Sequence, residues 1–225
     1  MSTSPKTAVV TGISSGIGLA LAHKLLAEGY HVIGTTRTGT VEGPANENLQ
    51  IVSLDVTSDA SIELAVGRIA ALAPGGVDLL VNNAGAAPDV FAVAPDRAAF
   101  AQTLDTNVTG TVFLTEPLLP HLNEGGQVIF ISSNMGLPRN AAPNGPGYRL
   151  SKAAVNMYAA MLAKRLAERH IRVTPMHPGW VQTKLGGDQA PLTPEQAADG
   201  LYQGIVTNTE SGQFWDATVG AVAAF

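Results

Sequence analysis

The fold of this chain is decided by one stretch near its start, Thr7–Gly18, which reads TAVVTGISSGIG. Its first five residues are rich in apolar and β-branched side chains, so they predict a buried strand, Thr7–Thr11. Glycine-rich sequence follows at once, and apolar residues then recur at helical spacing until Gly29, a typical helix-ending residue. A strand, a glycine-rich turn and a helix in this order predict the first unit of an α/β sheet.

The turn between this strand and helix predicts an anion-binding site. Glycines let the backbone approach an anion closely, and a helix N-terminus offers free N–H groups and a positive dipole end to a pyrophosphate. The spacing Gly-x-x-x-Gly-x-Gly differs from the Gly-x-Gly-x-x-Gly of the most familiar dinucleotide folds. A purely structural turn is the alternative, but it needs fewer glycines. We therefore assign dinucleotide binding to the residues of this turn: Gly12, Ser14, Ser15, Gly16, Ile17 and Gly18.

The end of the second predicted strand, His31–Thr36, indicates which dinucleotide is preferred. Proteins that prefer NAD usually place an acidic residue about 20 residues after the glycine turn. Here Arg37 lies in that neighbourhood, and the first acidic residue after it is Glu42. A guanidinium can hold the 2′-phosphate of NADP(H) through two hydrogen bonds, whereas a carboxylate would repel it. We expect NADP(H) to be favoured, with NAD(H) as the second choice; the alternative is that Arg37 is an exposed loop residue without a ligand.

The rest of the chain alternates between predicted strands and helices. The strands are Gln50–Leu54, Asp78–Val81, Gly126–Ile131, Ile171–Met176 and Ser211–Trp215, and the helices are Ser58–Ala73, Asp96–Leu122, Ala153–Arg169 and Pro194–Thr207. This alternation predicts one α/β domain over residues 1–225, a doubly wound, mostly parallel seven-stranded sheet with helices on both faces. Met1–Pro5 and Thr38–Asn48 are expected loops. Pro117 predicts that its helix bends or restarts near Thr115–Glu116.

Composition narrows the class of protein and its partners. Of the 225 residues 45% are hydrophobic and 14% are charged, which is typical of a globular protein. The formal net charge of −5 argues against nucleic acid as a partner, and no apolar run is long enough to cross a membrane. The sequence has no cysteine, so it holds no disulfide and no thiolate metal site, and no metal is expected. We expect a cytoplasmic protein, since the N-terminus lacks a signal-peptide pattern.

A second motif, Tyr148-Arg-Leu-Ser-Lys152, opens the long helical pattern that follows a loop rich in proline and glycine. Positions four apart lie on one face of a helix, so the phenol of Tyr148 and the ammonium of Lys152 can share one space. A neighbouring cation favours phenolate and lowers the pKa of a tyrosine, which suits proton exchange near neutral pH. The alternative for the pair alone is a solvated helix face.

Three motifs in this order carry a family resemblance: Thr11-Gly12-x-x-x-Gly16-Ile17-Gly18, Asn82-Asn83-Ala84-Gly85 and Tyr148-x-x-x-Lys152. Together they resemble the short-chain dehydrogenase/reductase family. The runs Tyr148–Asn156 and His177–Thr183 further resemble a branch with carbonyl reductases and C-factor-like proteins. The resemblance implies a Rossmann-like domain and an enzyme that transfers hydride between NADP(H) and a ketone, an aldehyde or the corresponding alcohol.

The resemblance also implies how further residues bind the cofactor. Asp55 and Val56 would contact the adenine, and Asn83, Ala84 and Gly85 would line the adenine ribose. Asparagines at strand ends also bond backbone groups, so these two roles overlap for Asn83. The nicotinamide end would be held by Pro178, Gly179, Val181 and Thr183, while His177 is expected to be only a packed or rim histidine.

Four residues are implied in catalysis. Ser133, the second serine of a pair at a strand end, would orient the substrate oxygen, and Tyr148 would exchange a proton with it. Lys152 would lower the Tyr148 pKa and bind the nicotinamide ribose. Asn107 would form a helix kink that holds a water in a proton relay to Lys152, or else be a packed polar residue.

Several alternatives stay open at this point. The chain could be a non-catalytic NAD(P)-binding regulatory or scaffold protein, or an epimerase or dehydratase with tightly held cofactor. The segment Lys184–Leu192 is either a mobile lid or an ordinary surface loop. The tail Ala217–Phe225 packs either on a partner or on its own sheet. The apolar helix Val155–Leu166 is compatible with a homodimer or homotetramer contact, or with intramolecular core.

Overall fold

The structure is a computed structural model that describes residues 5–42 and 46–224. The loops expected at Met1–Pro5 and Thr38–Asn48, and the end of the C-terminal tail, therefore lie partly outside the described residues. Strands and helices alternate as predicted. The strands are β1 (Thr7–Thr11), β2 (His31–Thr36), β3 (Leu49–Ser53), β4 (Val77–Asn82), β5 (Leu122–Ile131), β6 (Arg172–His177), β7 (Phe214–Asp216) and β8 (Ala221–Ala223). The helices are α1 (Gly16–Ala27), α2 (Asp59–Leu72), α3 (Arg97–Leu104), α4 (Thr111–Leu118), α5 (Pro146–Arg165) and α6 (Pro194–Thr207).

The strands of the described residues form one eight-stranded sheet in the order β3-β2-β1-β4-β5-β6-β7-β8. Every neighbouring pair is parallel except β7 and β8, which are antiparallel. The doubly wound, mostly parallel sheet is confirmed, but the expected number of seven strands was wrong by one. The extra strand β8 is only three residues long, which is too short to show a periodic pattern. Because of it, the described part of the tail packs on its own sheet.

Helices cover both faces of the sheet, as predicted. One core layer contains buried residues of α2, α4 and α5, and the other contains buried residues of α1 and α6. The central strand β5 serves both layers: Phe130 packs into the first, whereas Ile129 and Ile131 pack into the second. Burial on both faces explains why the central strands are continuously apolar. No helix of the described residues is both long and apolar enough to span a membrane.

The single helix expected at Asp96–Leu122 is interrupted. Between α3 and α4 lies a π-helical segment, Asp105–Gly110, and a short 3-10 turn follows α4. Of the bend or restart predicted near Thr115–Glu116, the restart was wrong, because α4 continues through Pro117 and ends one residue later; the bend stays a prediction. The widening at the π segment accompanies a close contact: a Cβ on Gly110 would lie 2.4 Å from the carbonyl oxygen of Val56. The strand after it, β5, begins four residues before the predicted Gly126.

Candidate active site

A cavity of about 890 Å³ opens at the carboxyl edge of the sheet, a volume within the usual range for a bound small molecule. Segments that follow β1, β2, β3, β4, β5 and β6 line it together. All the residues predicted to bind cofactor line this cavity, and so do Ser133, Tyr148 and Lys152. Asn107 is the one predicted site residue that does not line it. The cavity therefore brings the predicted cofactor and catalytic residues into one space.

The glycine turn forms one wall of the cavity. Gly12 and Gly16 adopt the left-handed backbone conformation, with φ of +72° and +61°, which side chains rarely allow. A Cβ on Gly18 would lie 2.4 Å from Nδ2 of Asn83 and 2.5 Å from the carbonyl oxygen of Gly12. In the described structure the side chain of Ser15 does not cap α1, so the first N–H groups of the helix are left to other partners. This turn, whose three glycines let a ligand approach the backbone closely, fits a diphosphate.

Asn83 holds the turn in place from the neighbouring strand end. Its amide Nδ2 donates to the carbonyl oxygens of Thr11 at 2.8 Å and Gly12 at 3.1 Å. The Thr11 hydroxyl in turn accepts hydrogen bonds from the N–H groups of Asn83 and Ala84, both at 2.9 Å. The prediction that Asn83 bonds backbone is thus confirmed, and the same residue lines the cavity.

Arg37 and Asp55 lie at the end of the cavity formed by β2 and β3. The Asp55 carboxylate accepts hydrogen bonds from the hydroxyl and the N–H of Thr57, at 2.7 and 3.0 Å. These bonds hold the pKa of Asp55 below its ordinary value, and the charge of Arg37 adds a smaller lowering. Among the described carboxylates, none forms an ion pair with Arg37. The exposed guanidinium is therefore available to a ligand.

Ser133, Tyr148 and Lys152 meet at the other end of the cavity. Ser133 follows β5, and its hydroxyl accepts a hydrogen bond from the Met135 N–H at 3.1 Å. Tyr148 and Lys152 are each only 8% exposed, and the Nζ of Lys152 lies 5.5 Å from the centre of the Tyr148 ring. The prediction that these two side chains share one helix face is confirmed. The hydroxyl of the preceding serine, Ser132, donates to Oδ1 of Asn156 at 2.5 Å, which favours Ser133 as the serine free to act.

Known proteins share this arrangement of sequence and fold. The family model for short chain dehydrogenase matches residues 6–191 of the 225-residue chain. The chain belongs to the short-chain dehydrogenase family. It is therefore an oxidoreductase that acts on alcohol or carbonyl groups with a nicotinamide cofactor.

Three proteins illustrate which members of the family this dehydrogenase is similar to. The sulfoacetaldehyde reductase of Chromohalobacter salexigens is 35% identical, in an alignment that covers 89% of this chain and 81% of that protein. The structure of the carbonyl reductase Sniffer of D. melanogaster is 26% identical, with a TM-score of 0.88 over 98% of this chain and 100% of that one. The NADPH-bound carbonyl reductase from chicken fatty liver is 29% identical, with a TM-score of 0.87 over 99% of this chain and 100% of that one. The predicted resemblance to the carbonyl-reductase branch is confirmed.

The electrostatics of the dehydrogenase differ from the expectation at Tyr148. Burial raises the pKa of Tyr148 to about 12, and a hydrogen bond with the Ser133 hydroxyl lowers it by less. Burial also lowers the pKa of Lys152 to about 8. The prediction that Lys152 lowers the Tyr148 pKa was therefore wrong for the chain alone. Both groups are desolvated, and a low-dielectric surrounding disfavours phenolate and ammonium alike.

Asn107 lies behind the cavity in the π segment, where its side chain is fully engaged. Its Oδ1 accepts from the Ala86 N–H at 2.7 Å, and its Nδ2 donates to the Ala86 carbonyl at 2.8 Å and to the Ser151 hydroxyl at 3.0 Å. Ser151 belongs to α5 and lies between Tyr148 and Lys152 in sequence. Asn107 thus acts as a packed polar residue that ties the loop after β4 to α5. Its expected part in a proton relay stays a prediction.

The segment after β6 closes the cavity from the opposite side. A Cβ on Gly16 would lie 3.1 Å from Cγ2 of Thr183, so this segment reaches back to the glycine turn. The segment Lys184–Leu192 is held by backbone bonds at both ends: the Gln182 N–H donates to the Leu192 carbonyl and the Gly187 N–H to the Thr183 carbonyl, each at 2.8 Å. These bonds favour an ordered loop over a freely mobile lid.

His177, at the end of β6, is buried and lines the cavity, as expected of a packed or rim histidine. Burial lowers its pKa, against a smaller raising effect from the charge of Asp216. Its Nδ1 has no hydrogen-bond partner within the described residues.

Two residues that shape the site were missed in the sequence. Asp89, only 1% exposed, accepts a hydrogen bond from the Gly147 N–H at the start of α5 and another from the Thr103 hydroxyl at 3.2 Å. Arg149 donates to the carbonyl oxygens of three residues that lie between Ser133 and Tyr148: Met135 at 3.3 Å, Asn140 at 2.8 Å and Asn144 at 2.7 Å. Asp89 and Gly147 lie 58 positions apart, so no local pattern could have pointed to their contact.

Proposed function

We propose that this dehydrogenase reduces a ketone or aldehyde to an alcohol, or catalyses the reverse reaction, with NADP(H) favoured over NAD(H). One observation carries the proposal: Ser133, Tyr148 and Lys152 line the same cavity as the glycine turn. Two relatives add support, since one is named a sulfoacetaldehyde reductase and the other an NADPH-bound carbonyl reductase.

The cavity offers a place for each part of the cofactor. The glycine turn and the start of α1 would hold the diphosphate, and Arg37 would bind the 2′-phosphate of the adenine ribose. Asp55 and Val56 would lie at the adenine, and Asn83, Ala84 and Gly85 at its ribose. The nicotinamide end would be held by Lys152 and by residues after β6: Pro178, Gly179, Val181 and Thr183. When bound, the cofactor supplies a hydride to the substrate carbon or accepts one from it.

Side chains of the protein orient the substrate oxygen and supply its proton. Ser133 donates a hydrogen bond to the substrate oxygen and orients it toward Tyr148, which donates the phenolic proton. With a pKa of about 12, the Tyr148 phenol is protonated at neutral pH, which is the form that carbonyl reduction requires. The Nζ of Lys152 donates to the Ile131 carbonyl at 2.8 Å and lies 5.5 Å from the centre of the Tyr148 ring, a position from which it would bind the nicotinamide ribose.

The variant Tyr148→Phe tests this assignment. It keeps the buried ring and removes only the hydroxyl, so we expect it to bind NADPH normally while turnover falls by about 100-fold or more. NADPH fluorescence measures binding, and NADPH oxidation with a panel of carbonyl compounds measures turnover. A near-normal rate would refute the role of Tyr148. NADPH binding by the wild type without turnover of any carbonyl would favour the non-catalytic alternative.

Three further assignments belong to the proposal. The NADP(H) preference is checked by comparing kcat/KM for NADPH and NADH, and a clear preference for NADH would overturn the role of Arg37. A cytoplasmic location and a homodimeric or homotetrameric state stay predictions, which fractionation and the mass of the native protein in solution would test.

A further inference from the structure

Two large aromatic side chains remain exposed on loops that line the cavity. Phe91 is 72% exposed and lies on the loop after β4, whereas Trp180 is 52% exposed and lies on the segment after β6. Exposed aromatic rings are unremarkable when they are scattered singly over a surface. Two exposed rings on different loops of one cavity indicate a binding surface, because a ligand between them would remove both rings from water.

Phe91 is fixed close to the catalytic end of the cavity. Its two neighbours are bonded to the segment that begins α5: Nδ2 of Asn144 donates to the Val90 carbonyl at 2.9 Å, and the Gly145 N–H donates to the Ala92 carbonyl at 2.8 Å. Gly145 directly precedes α5, which carries Tyr148 in its first turn. The Phe91 backbone therefore cannot move away from the catalytic tyrosine without breaking these bonds.

Two further apolar residues of the cavity lining, Val90 and Met135, lie next to Phe91 and close to Ser133, respectively, along the chain. A Cβ on Gly145 would lie 3.0 Å from the Val90 carbonyl oxygen and 3.5 Å from the methyl carbon of Met135, so Val90 and Met135 both pack around Gly145. Met135 lies two residues after the catalytic serine, and its N–H donates to the Ser133 hydroxyl. Both Val90 and Met135 line the cavity.

Trp180 presents only carbon to the cavity. Its one polar atom, Nε1, already donates to the Gly186 carbonyl at 2.8 Å, and the Trp180 carbonyl accepts a hydrogen bond from the Leu192 N–H at 3.3 Å. These bonds hold the ring on the side of the cavity that also carries Val181 and Thr183. A substrate that reaches Ser133 between the two loops would therefore meet carbon surface from Phe91 on one loop and from Trp180 on the other.

We propose that Phe91 and Trp180 form the two walls of the substrate entrance, and that the substrate is a carbonyl compound with an uncharged aromatic or bulky apolar group held between them. This inference rests on the proposed carbonyl reductase function and names its substrate class. The main competing feature is Lys184, which also lines the cavity and whose charge would attract an anionic carbonyl compound instead. A preference for an anionic carbonyl compound is therefore the result that would contradict the proposal.

Three aldehydes separate these possibilities: propanal, 4-isopropylbenzaldehyde and 4-carboxybenzaldehyde, each assayed by NADPH oxidation. We expect kcat/KM of the wild type for 4-isopropylbenzaldehyde to exceed that for each of the other two aldehydes by about tenfold or more. Filling an apolar pocket typically gives discrimination of this size. Phe91→Ala and Trp180→Ala should each lower the ratio of kcat/KM for 4-isopropylbenzaldehyde to that for propanal by about tenfold, mainly through KM.

Phe113→Ala is the matched control, because Phe113 is a 60% exposed aromatic residue on α4 outside the cavity lining. It should leave the ratio unchanged. The inference is overturned if Phe91→Ala and Trp180→Ala change the ratio no more than Phe113→Ala does, or if the wild type prefers 4-carboxybenzaldehyde. Turnover of propanal without an aromatic preference refutes the substrate class alone, whereas the absence of turnover with all three aldehydes refutes the reductase function as well.

Discussion

The two ends of the cavity are held together in different ways. At the glycine turn, backbone atoms pack directly on one another, and a single side chain from the neighbouring strand end, Asn83, fastens them. At the catalytic end, loops are held by side-chain hydrogen bonds to backbone groups: Asp89 accepts from the Gly147 N–H, and Arg149 donates to carbonyl oxygens of the loop that precedes α5. The first arrangement leaves no room for an added atom. We expect the catalytic end to tolerate small shifts. Substitutions there should therefore change KM for the substrate more than they change the dissociation constant of NADPH.

The sharpest way to break the tight end is Gly18→Ala. The added Cβ would lie 2.4 Å from Nδ2 of Asn83, a distance that forces the turn apart. We expect the free energy of unfolding to fall by about 1–3 kcal/mol, as for other overpacked sites. NADPH affinity should fall by about 100-fold, because about 3 kcal/mol of charge-assisted bonding would be misplaced. Urea unfolding and fluorescence titration with NADPH measure the two effects.

Gly67→Ala provides the control for this substitution. Gly67 lies inside α2 with no atom within 4 Å of the position where a Cβ would be added. Alanine there should stabilise the protein by about 0.5–1 kcal/mol through its higher helix propensity and leave NADPH affinity unchanged. If Gly18→Ala bound NADPH as tightly as Gly67→Ala does, the tight end of the cavity would not be the cofactor site.

Arg149→Ala sharpens the comparison at the loop end. The substitution removes hydrogen bonds to the carbonyls of Met135, Asn140 and Asn144, and with them the link between the catalytic serine loop and the start of α5. We expect KM for the carbonyl substrate to rise about threefold to tenfold, since a loss of about 1 kcal/mol in substrate binding corresponds to about a fivefold change. The dissociation constant of NADPH should stay unchanged.

Two further variants make the role of Arg149 specific. Arg149→Lys should not restore the wild-type KM, because an ammonium lacks the planar fork of donors that reaches several carbonyls at once. Arg68→Ala removes an exposed arginine from α2 and should change neither constant. A parallel weakening of NADPH binding in Arg149→Ala would show that the two ends of the cavity are not independent.

The same contrast explains how much of the molecule could be predicted from its sequence. The glycine turn was predicted because its determinants are contiguous: the strand, the glycines and the start of α1 all lie within Thr7–Gly18. The family resemblance then assigned Ser133 and Tyr148 to one site, and both line the same cavity in the structure. By contrast, the local pattern gave no sign that Asn107 bonds to Ala86, which lies 21 residues earlier, and only the family resemblance predicted a helix kink at Asn107, which lies in the π segment.

The catalytic pair shows a second kind of limit. Helical spacing was enough to place Tyr148 and Lys152 on one face of α5, and the structure confirms it. The direction of the Tyr148 pKa could not be obtained in the same way, because it depends on how deeply the phenol is buried. Neighbours along a helix are visible in a sequence, whereas exclusion of water is set by all the loops that close over the site.

The last prediction tests that burial through the pH dependence of stability. The pKa of Lys152 is lowered from 10.5 to about 8 in the folded protein, so between these values the unfolded chain binds more protons than the folded one. The free energy of unfolding should therefore rise with pH across this window. Each unit of pKa difference contributes at most about 1.36 kcal/mol, so we expect a total rise of about 1–3 kcal/mol.

Tyr148 acts in the opposite direction at higher pH. Its pKa is raised from 10.0 to about 12, so above pH 10 the folded protein retains a proton that the unfolded chain loses, and stability falls. Urea unfolding of the wild type and of Lys152→Met, compared from neutral pH to about pH 10, isolates the lysine because every other group is shared. A wild-type stability that stayed parallel to that of Lys152→Met throughout would mean that Lys152 is solvated. In that case the catalytic end of the cavity would be open to water, and the phenol of Tyr148 would titrate near its ordinary pKa.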